Sequence, residues 1–196
     1  MRGGNLYDKY GTTNPVARHL MSKFLAAFDE LVSMTGATSA LDVGCGEGHL
    51  SLRLVSLGLK VEGCDPDPIC VGEANDRLAA GGGQPSCFVS DISNLGRRTA
   101  DLVVCCEVLE HVDEPALALS RLLDLECSYL LLSVPREPIW RALNMLRGAY
   151  LSNLGNTPGH VNHWSASSFV KLVSARADIV AVRKPLPWTM VLARKD

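Results

Sequence analysis

The chain has no apolar run approaching the roughly 20 residues that a helix needs to cross a bilayer, and no stretch patterned like a secretory leader. It has no excess of one charge either: 19 basic residues stand interspersed among 21 acidic ones, for a formal net charge of −2. A basic stripe is the footprint of a protein that grips phosphate backbones, so its absence argues against nucleic acid as a partner. Seven cysteines are present, an odd number, and none stands in C-x-x-C spacing, which argues against a structural zinc site. Cys45, Cys64, Cys87, Cys105 and Cys106 fall on or just after apolar runs, where reduced cysteine behaves as a small hydrophobe. A cytoplasmic protein with free thiols is therefore expected. Internal repeats, low-complexity tracts and linkers are missing as well. A length of 196 residues suffices for one α/β domain with a substantial core and is short for two, so residues 1–196 are expected to form a single domain.

What is present begins with Leu41-Asp42-Val43-Gly44-Cys45-Gly46-Glu47-Gly48-His49-Leu50, where alternate glycines follow an apolar strand and open a helix. Glycine at 44 and 46 permits a tight turn and a close ligand approach that a Cβ would block, while the helix start offers free N–H groups. A dinucleotide site wants G-x-G-x-x-G, and this chain has His49 where the third glycine would fall. The pattern is instead G-x-G-x-G with Asp42 two residues ahead. A carboxylate there repels a pyrophosphate and holds an ammonium group, so Asp42, Gly44, Cys45 and Gly46 point to S-adenosylmethionine over NAD.

Two further acids stand where a nucleoside would meet a doubly wound sheet. The run ending at Cys64 is followed by Asp65 and Pro66, about twenty residues after the glycines, where an acidic side chain accepts ribose hydroxyls. The run Ser86–Val89 leads to Asp91 and Ile92, a carboxylate for an adenine amino group beside an apolar side chain for the ring. Each acid alone has a plainer explanation as a helix cap or turn former; it is the three together that carry weight.

With Leu41–Gly46, Cys105-Cys106-Glu107-Val108-Leu109-Glu110-His111-Val112 and a late Gly159-His160 step, the chain resembles the class I S-adenosylmethionine-dependent methyltransferases, and among them the ubiquinone-biosynthesis O-methyltransferase branch. The resemblance implies cofactor contacts at Gly44, Asp65 and Cys106. It also implies one at Arg18, from an Asn-Pro step followed by arginine, here Asn14-Pro15-Val16-Ala17-Arg18, with the arginine displaced by one residue. The implied activity is methylation of a small molecule at oxygen. Two other classes are a cofactor-binding regulatory protein without catalysis and a nicotinamide oxidoreductase, the second disfavoured by His49.

Asn14 and Pro15 start a helix with Val16, Leu20, Phe24, Phe28 and Leu31 on one face. This N-terminal helix, within residues 1–35, is expected to close over the cofactor as a lid carrying Tyr7, Tyr10 and Arg18. Strands near 38–43, 59–64, 86–89, 101–106 and 127–134 then alternate with helices at 48–57, 68–80 and 114–124, which argues a parallel sheet with right-handed crossovers. After a helix at 165–175, the runs 178–183 and 188–194 are too close to be parallel neighbours. The expected fold is α/β, Rossmann-like and doubly wound, with a mostly parallel seven-stranded sheet ending in an antiparallel hairpin and an added N-terminal helix.

Residues 135–164 form an insertion expected to cover the acceptor site. Its helical part, Ile139–Arg147, places Ile139, Leu143 and Leu146 on one face. Two readings stand: a lid packed on its own domain, or a surface docking on a membrane to collect a lipid-like acceptor. His163 and Trp164 are expected to anchor it, with Ser165 capping the next helix, and Trp188 to lie in the core.

Methyl transfer from a sulfonium needs positioning and desolvation more than covalent help, but a hydroxyl nucleophile must shed a proton. Glu107, Glu110 and His111 stand at i, i+3 and i+4, so a helical turn would put them on one face at the end of strand four. Two carboxylates and an imidazole suit a hard divalent cation. The resemblance associates Glu-x-x-Glu-His with Mg²⁺, and the small-RNA 2′-O-methyltransferases add a histidine four residues before a tryptophan, as His160 stands before Trp164. The alternatives left open are Mg²⁺ on Glu107, Glu110, His111 and His160, His111 or His160 as a bare base, and a mere helix start.

Overall fold

The computed structural model describes residues 10–146 and 148–195; Tyr7 and Arg147 lie outside them. In chain order the elements are α1 (Pro15–Ser33), β1 (Ser39–Val43), α2 (His49–Ser56), β2 (Lys60–Asp65), α3 (Pro68–Ala80), β3 (Cys87–Val89) and β4 (Leu102–Cys106). They continue with α4 (Pro115–Asp124), β5 (Tyr129–Pro135), α5 (Ile139–Leu146), α6 (Ala166–Ser174), β6 (Asp178–Arg183) and β7 (Trp188–Arg194). The strands make one sheet in the order β3-β2-β1-β4-β5-β7-β6. Pairings among β1 to β5 are parallel, whereas β7 runs antiparallel to both β5 and β6. The expected doubly wound sheet with a terminal hairpin is present.

The hairpin's second strand lies inside the sheet, between β5 and β6. Burial explains the choice: β7 is buried from Trp188 to Ala193, while β6 is half-exposed and takes the edge. Side chains alternate between two cores, as a strand's period of two requires. Leu41, Val43, Val103, Cys105, Leu130, Leu132, Val191 and Ala193 meet α4 and α6 on one face. Ala40, Leu102, Val104, Leu131, Met190 and Leu192 meet α1 and α2 on the other.

Asn14 caps α1, its side chain accepting from Val16 N at 2.9 Å and Ala17 N at 3.2 Å. Phe24, Phe28 and Leu31 are buried as the period of 3.6 demands. Val16, expected on that face, is 66 % exposed: periodicity gives the direction of a stripe, not where along the helix the sheet begins to cover it.

The insertion departs further. In α5 the buried side chain is Asn144, and Leu146, on the face expected to carry Ile139 and Leu143, is 83 % exposed, which the reading of that face as packed on its own domain does not explain. A polar network outweighs the apolar stripe here. Asn144 Nδ2 donates to Gly155 O at 2.8 Å and to Thr157 Oγ1 at 3.2 Å, and Trp140 Nε1 donates to the same hydroxyl at 2.9 Å. Trp164 anchors the far end, its carbonyl accepting from Glu137 N while its ring packs on Phe169. Ser165 caps α6 through Ser168 N at 3.1 Å.

Candidate functional site

The order of the strands reverses between β1 and β4, and in open α/β sheets the crevice beyond that point is where ligands bind. The glycine loop leaves β1 there, next to the end of β4. Gly44 N and Cys45 N donate to Cys64 O at 2.8 and 2.9 Å, which clips the loop to β2. Gly44 and Gly46 take left-handed φ of 76° and 52°, a conformation in which a side chain is strained. Their surroundings differ. A Cβ on Gly46 would meet nothing within 4 Å, whereas one on Gly44 would run into Val108 Cγ2 at 2.3 Å. Gly46 thus faces open space suited to a ligand, and Gly44 lets the loop pass against the segment after β4. Gly48 has another role: Ala74 of α3 packs where its Cβ would be, at 2.8 Å.

Asp42 is 2 % exposed and accepts from Ser51 Oγ at 2.6 Å. Burial pushes its carboxyl up to about 6, with the Asp65 charge adding to the rise and the Ser51 bond opposing it. Asp65 is buried at the end of β2. Its carboxylate accepts from Gly46 N at 3.0 Å and Asp67 N at 2.9 Å, joining the loop to the turn through the exposed Pro66 into α3. Cys106 closes β4 and is buried beside this loop's strand.

Asp91 is exposed, and its carboxylate accepts from Ser93 N at 2.8 Å and Ser93 Oγ at 2.5 Å and from Asn94 Nδ2. These bonds hold its carboxyl below the usual range, so locally it is a turn former. Ile92 is half-buried against the core. Arg18 is exposed on α1.

Tyr10 was within reach of sequence reasoning only as part of a lid. Its ring stacks on His49, centroids 4.0 Å apart and planes 8° from parallel. Burial, then the charges of Cys106, Glu107, Asp42 and Glu47, push its phenol above the ordinary tyrosine value. Its stacking partner His49 occupies the place of the dinucleotide glycine and borders a surface hollow with Tyr10, Glu47 and Arg77.

On the acceptor side the expectation of one shared helical face fails. Glu107 has φ of 61°, which breaks the turn, and only Leu109–His111 form a short 3-10 helix. Glu107 therefore turns elsewhere: Oε2 accepts from Trp188 Nε1 at 2.7 Å and Oε1 from Ser133 Oγ at 3.2 Å. Trp188, expected as core, is buried edge-on to Phe24 and Trp140 and is also this carboxylate's partner.

Glu110, His111 and His160 do converge, each offering a ligand atom with all three within 4.8 Å of one another. The insertion is stitched to the turn that carries them. Val161 N and Asn162 N donate to Glu110 O at 2.9 and 3.1 Å, and Asn162 Nδ2 donates to Val112 O and Leu109 O. His111 Nδ1 lies 3.0 Å from Gly159 O. A carbonyl only accepts, so Nδ1 carries the hydrogen, and in the neutral form of the ring the lone pair is on Nε2. The His111 and His160 rings meet edge to face at 4.8 Å, and Trp140 stacks at 5.9 Å on His160. No sequence signal marks Asn162 or Ser51 as supports, because each acts through a fold contact, and the Gly159-His160 step does not reveal that Gly159 serves through its carbonyl.

Among known proteins, a family model described as a methyltransferase domain matches residues 15–177. Magnesium-protoporphyrin O-methyltransferase of Synechocystis is 37 % identical over 97 residues, covering 47 % of this chain and 42 % of that protein. Ubiquinone biosynthesis O-methyltransferase of Xanthomonas axonopodis pv. citri is 32 % identical over 137 residues, 67 % of this chain and 56 % of the relative. The chain thus spans about half the length of the curated relatives it matches. A crystal structure of the Synechocystis magnesium protoporphyrin IX methyltransferase with bound SAH superposes with a TM-score of 0.71 at 24 % identity, over 95 % of this chain and 90 % of that one. Among the described residues no helix is long and apolar enough to cross a membrane. A match that runs from the first residue of α1 to the end of α6 leaves no doubt of kinship: this chain belongs to the methyltransferase domain family.

Proposed function

We propose that this chain transfers a methyl group from S-adenosylmethionine to an oxygen nucleophile of a small molecule. The observation that carries the reading is that the loop Asp42–Gly46, tied to Asp65, packs through Gly44 against Val108, in the segment after β4 that runs on into the cluster of Glu110 and His111 with His160. S-adenosylmethionine supplies, when bound, an electrophilic methyl on a sulfonium. Asp42 holds the ammonium end, Gly46 leaves room for the chain, Asp65 and Pro66 border the ribose, Asp91 and Ile92 the adenine, and Cys106 the cofactor's flank. His111 takes the acceptor's proton at Nε2, its tautomer fixed by Gly159 O. Tyr10, desolvated over the loop, belongs to a lid formed by the N-terminal segment.

A second reading of the cluster is favoured by the convergence of three donors. Glu110, His111 and His160 would hold a divalent cation that lowers the acceptor's pKa. With Glu107 engaged by Trp188, the set is two imidazoles and one carboxylate, which suits a transition ion better than Mg²⁺ with its preference for oxygen. The acceptor's lipid-like character is supported by the insertion, where Leu146, Leu151 and Leu154 are 83 %, 59 % and 70 % exposed.

The test is transfer of labelled methyl from S-adenosylmethionine to compounds of a metabolite extract, with and without EDTA. Turnover lost in His111→Ala and kept in EDTA supports the base; turnover lost in EDTA supports the cation. Full activity in His111→Ala without metal dependence refutes both.

A further inference from the structure

Cys45, between the two loop glycines, shares a space with Cys87 of β3. Cys45 lies in the loop that leaves β1 and Cys87 opens β3, and these two strands flank β2, each pairing with it. Both side chains lean over Gly63, which stands opposite Cys87 in the ladder. A Cβ on Gly63 would meet Cys87 Sγ at 2.7 Å and both Cβ and Sγ of Cys45 at 3.2 Å. A glycine inside a strand weakens it and marks a close approach; here what approaches is a pair of sulfurs. Interaction between the two thiols lowers the Cys87 thiol from its ordinary value and raises that of Cys45, while the Cys45 thiol itself donates to Gly46 O at 3.7 Å. Cys45 is buried and Cys87 half-buried, so the more acidic thiol is also the one a small oxidant reaches.

We propose that Cys45 and Cys87 are a redox pair whose disulfide closes the cofactor loop to S-adenosylmethionine. The inference rests on the reading of Gly44–Gly46 as that loop. The chemistry needs a peroxide. The Cys87 thiolate attacks the peroxide, the O–O bond breaks, and the departing oxygen takes a proton, leaving Cys87 as a sulfenic acid. The Cys45 sulfur then displaces hydroxide from that sulfur, the S–S bond forms, and the Cys45 proton leaves with the hydroxide as water. The two thiols lose two electrons and the peroxide gains them.

Bond formation draws the sulfurs from thiol contact to about 2 Å, and one backbone must follow. Cys87 is held on both sides, its N–H donating to Asn75 Oδ1 at 2.9 Å and its carbonyl accepting from Asn75 Nδ2 at 3.0 Å. Cys45 is flanked by glycines. The loop therefore moves, at the expense of the Cys45 N to Cys64 O and Gly46 N to Asp65 bonds that shape it.

The experiment treats the full chain with a limited excess of hydrogen peroxide, maps disulfides by mass spectrometry of unreduced peptides, and titrates S-adenosylhomocysteine before oxidation, after it, and after dithiothreitol. A peptide pair joined through Cys45 and Cys87, at least tenfold weaker binding, and recovery with dithiothreitol are expected. Cys87→Ser and Cys87→Ala should bind like the reduced protein and ignore peroxide. Oxidation without that peptide pair overturns the proposal, as does a cross-linked protein that binds undiminished. Normal binding by reduced Gly44→Val would place the failure in the loop assignment instead.

Discussion

Asp42 is the costliest charge in the cofactor loop, and replacing it with asparagine should separate stability from binding. Burial raises its carboxyl from 3.8 to about 6, and each pKa unit corresponds to about 1.4 kcal/mol, so ionised Asp42 costs the native state roughly 3 kcal/mol at neutral pH. The sign follows from linkage. Between pH 4 and 6 the folded protein holds a proton that the unfolded chain has released. The stability due to protonated Asp42 is full below the unfolded value and is lost as pH rises through about 6. Asparagine keeps an oxygen for Ser51 Oγ, which donates to Asp42 at 2.6 Å, and carries no charge. Asp42→Asn should therefore match the wild type near pH 4 and exceed it at pH 7 by up to about 3 kcal/mol, on the order of 6–12 °C in Tm for a chain of this size. Affinity should move the opposite way, because an ammonium ligand favours the ionised carboxylate. Binding of S-adenosylhomocysteine should strengthen through pH 6 in the wild type and stay weak and flat in the variant. Calorimetric melts and titrations from pH 4.5 to 8 read both. A variant less stable at pH 7, or with the wild-type pH slope, would refute the argument from burial.

Three other predictions follow from the loop, the insertion and the N-terminal segment. Gly44→Ala drives a Cβ to 2.3 Å from Val108 Cγ2 at φ of 76°, for about 2–4 kcal/mol of strain and overpacking; urea unfolding should show part of it returning in the double variant with Val108→Ala, and no recovery would mean that the backbone, not the contact, sets the cost. Asn144→Ala strands Gly155 O and Thr157 Oγ1 in a buried network, at about 1–3 kcal/mol, and should lower turnover while leaving S-adenosylhomocysteine affinity intact; equal losses of both would remove the insertion's separate role on the acceptor side. Limited proteolysis near Tyr10 should slow when S-adenosylhomocysteine is added, and equal cleavage with and without it counts against a lid.

Where a local pattern decides, the sequence was a faithful guide. The helix expected at 68–80 is α3 to the residue, and the runs 178–183 and 188–194 are β6 and β7. That β7 enters the sheet between β5 and β6 follows from its fully buried character, visible in the apolar run Trp188–Ala193. The glycine loop, Asp42 and Asp65 stand together as their spacing implied, because a βαβ unit brings consecutive strand ends to one edge. The acceptor side was harder to read. The i, i+3, i+4 spacing of Glu107, Glu110 and His111 presupposes a helix, and one left-handed residue sent Glu107 to Trp188, 81 positions along the chain. Likewise α5 turns Asn144 inward since Gly155 O and Thr157 Oγ1 await it, a demand that no periodicity reveals. Asp91 shows the reverse: its turn with Ser93 and Asn94 is the local role its residue type favours.

The central claim is most directly tested by equilibrium titration of the purified chain with S-adenosylhomocysteine and, separately, with NADH. One saturable site for S-adenosylhomocysteine, weakened by about 1–3 kcal/mol in Asp65→Ala, and no binding of NADH is the predicted result. Saturable NADH binding, or S-adenosylhomocysteine affinity unchanged in Asp65→Ala, would contradict it.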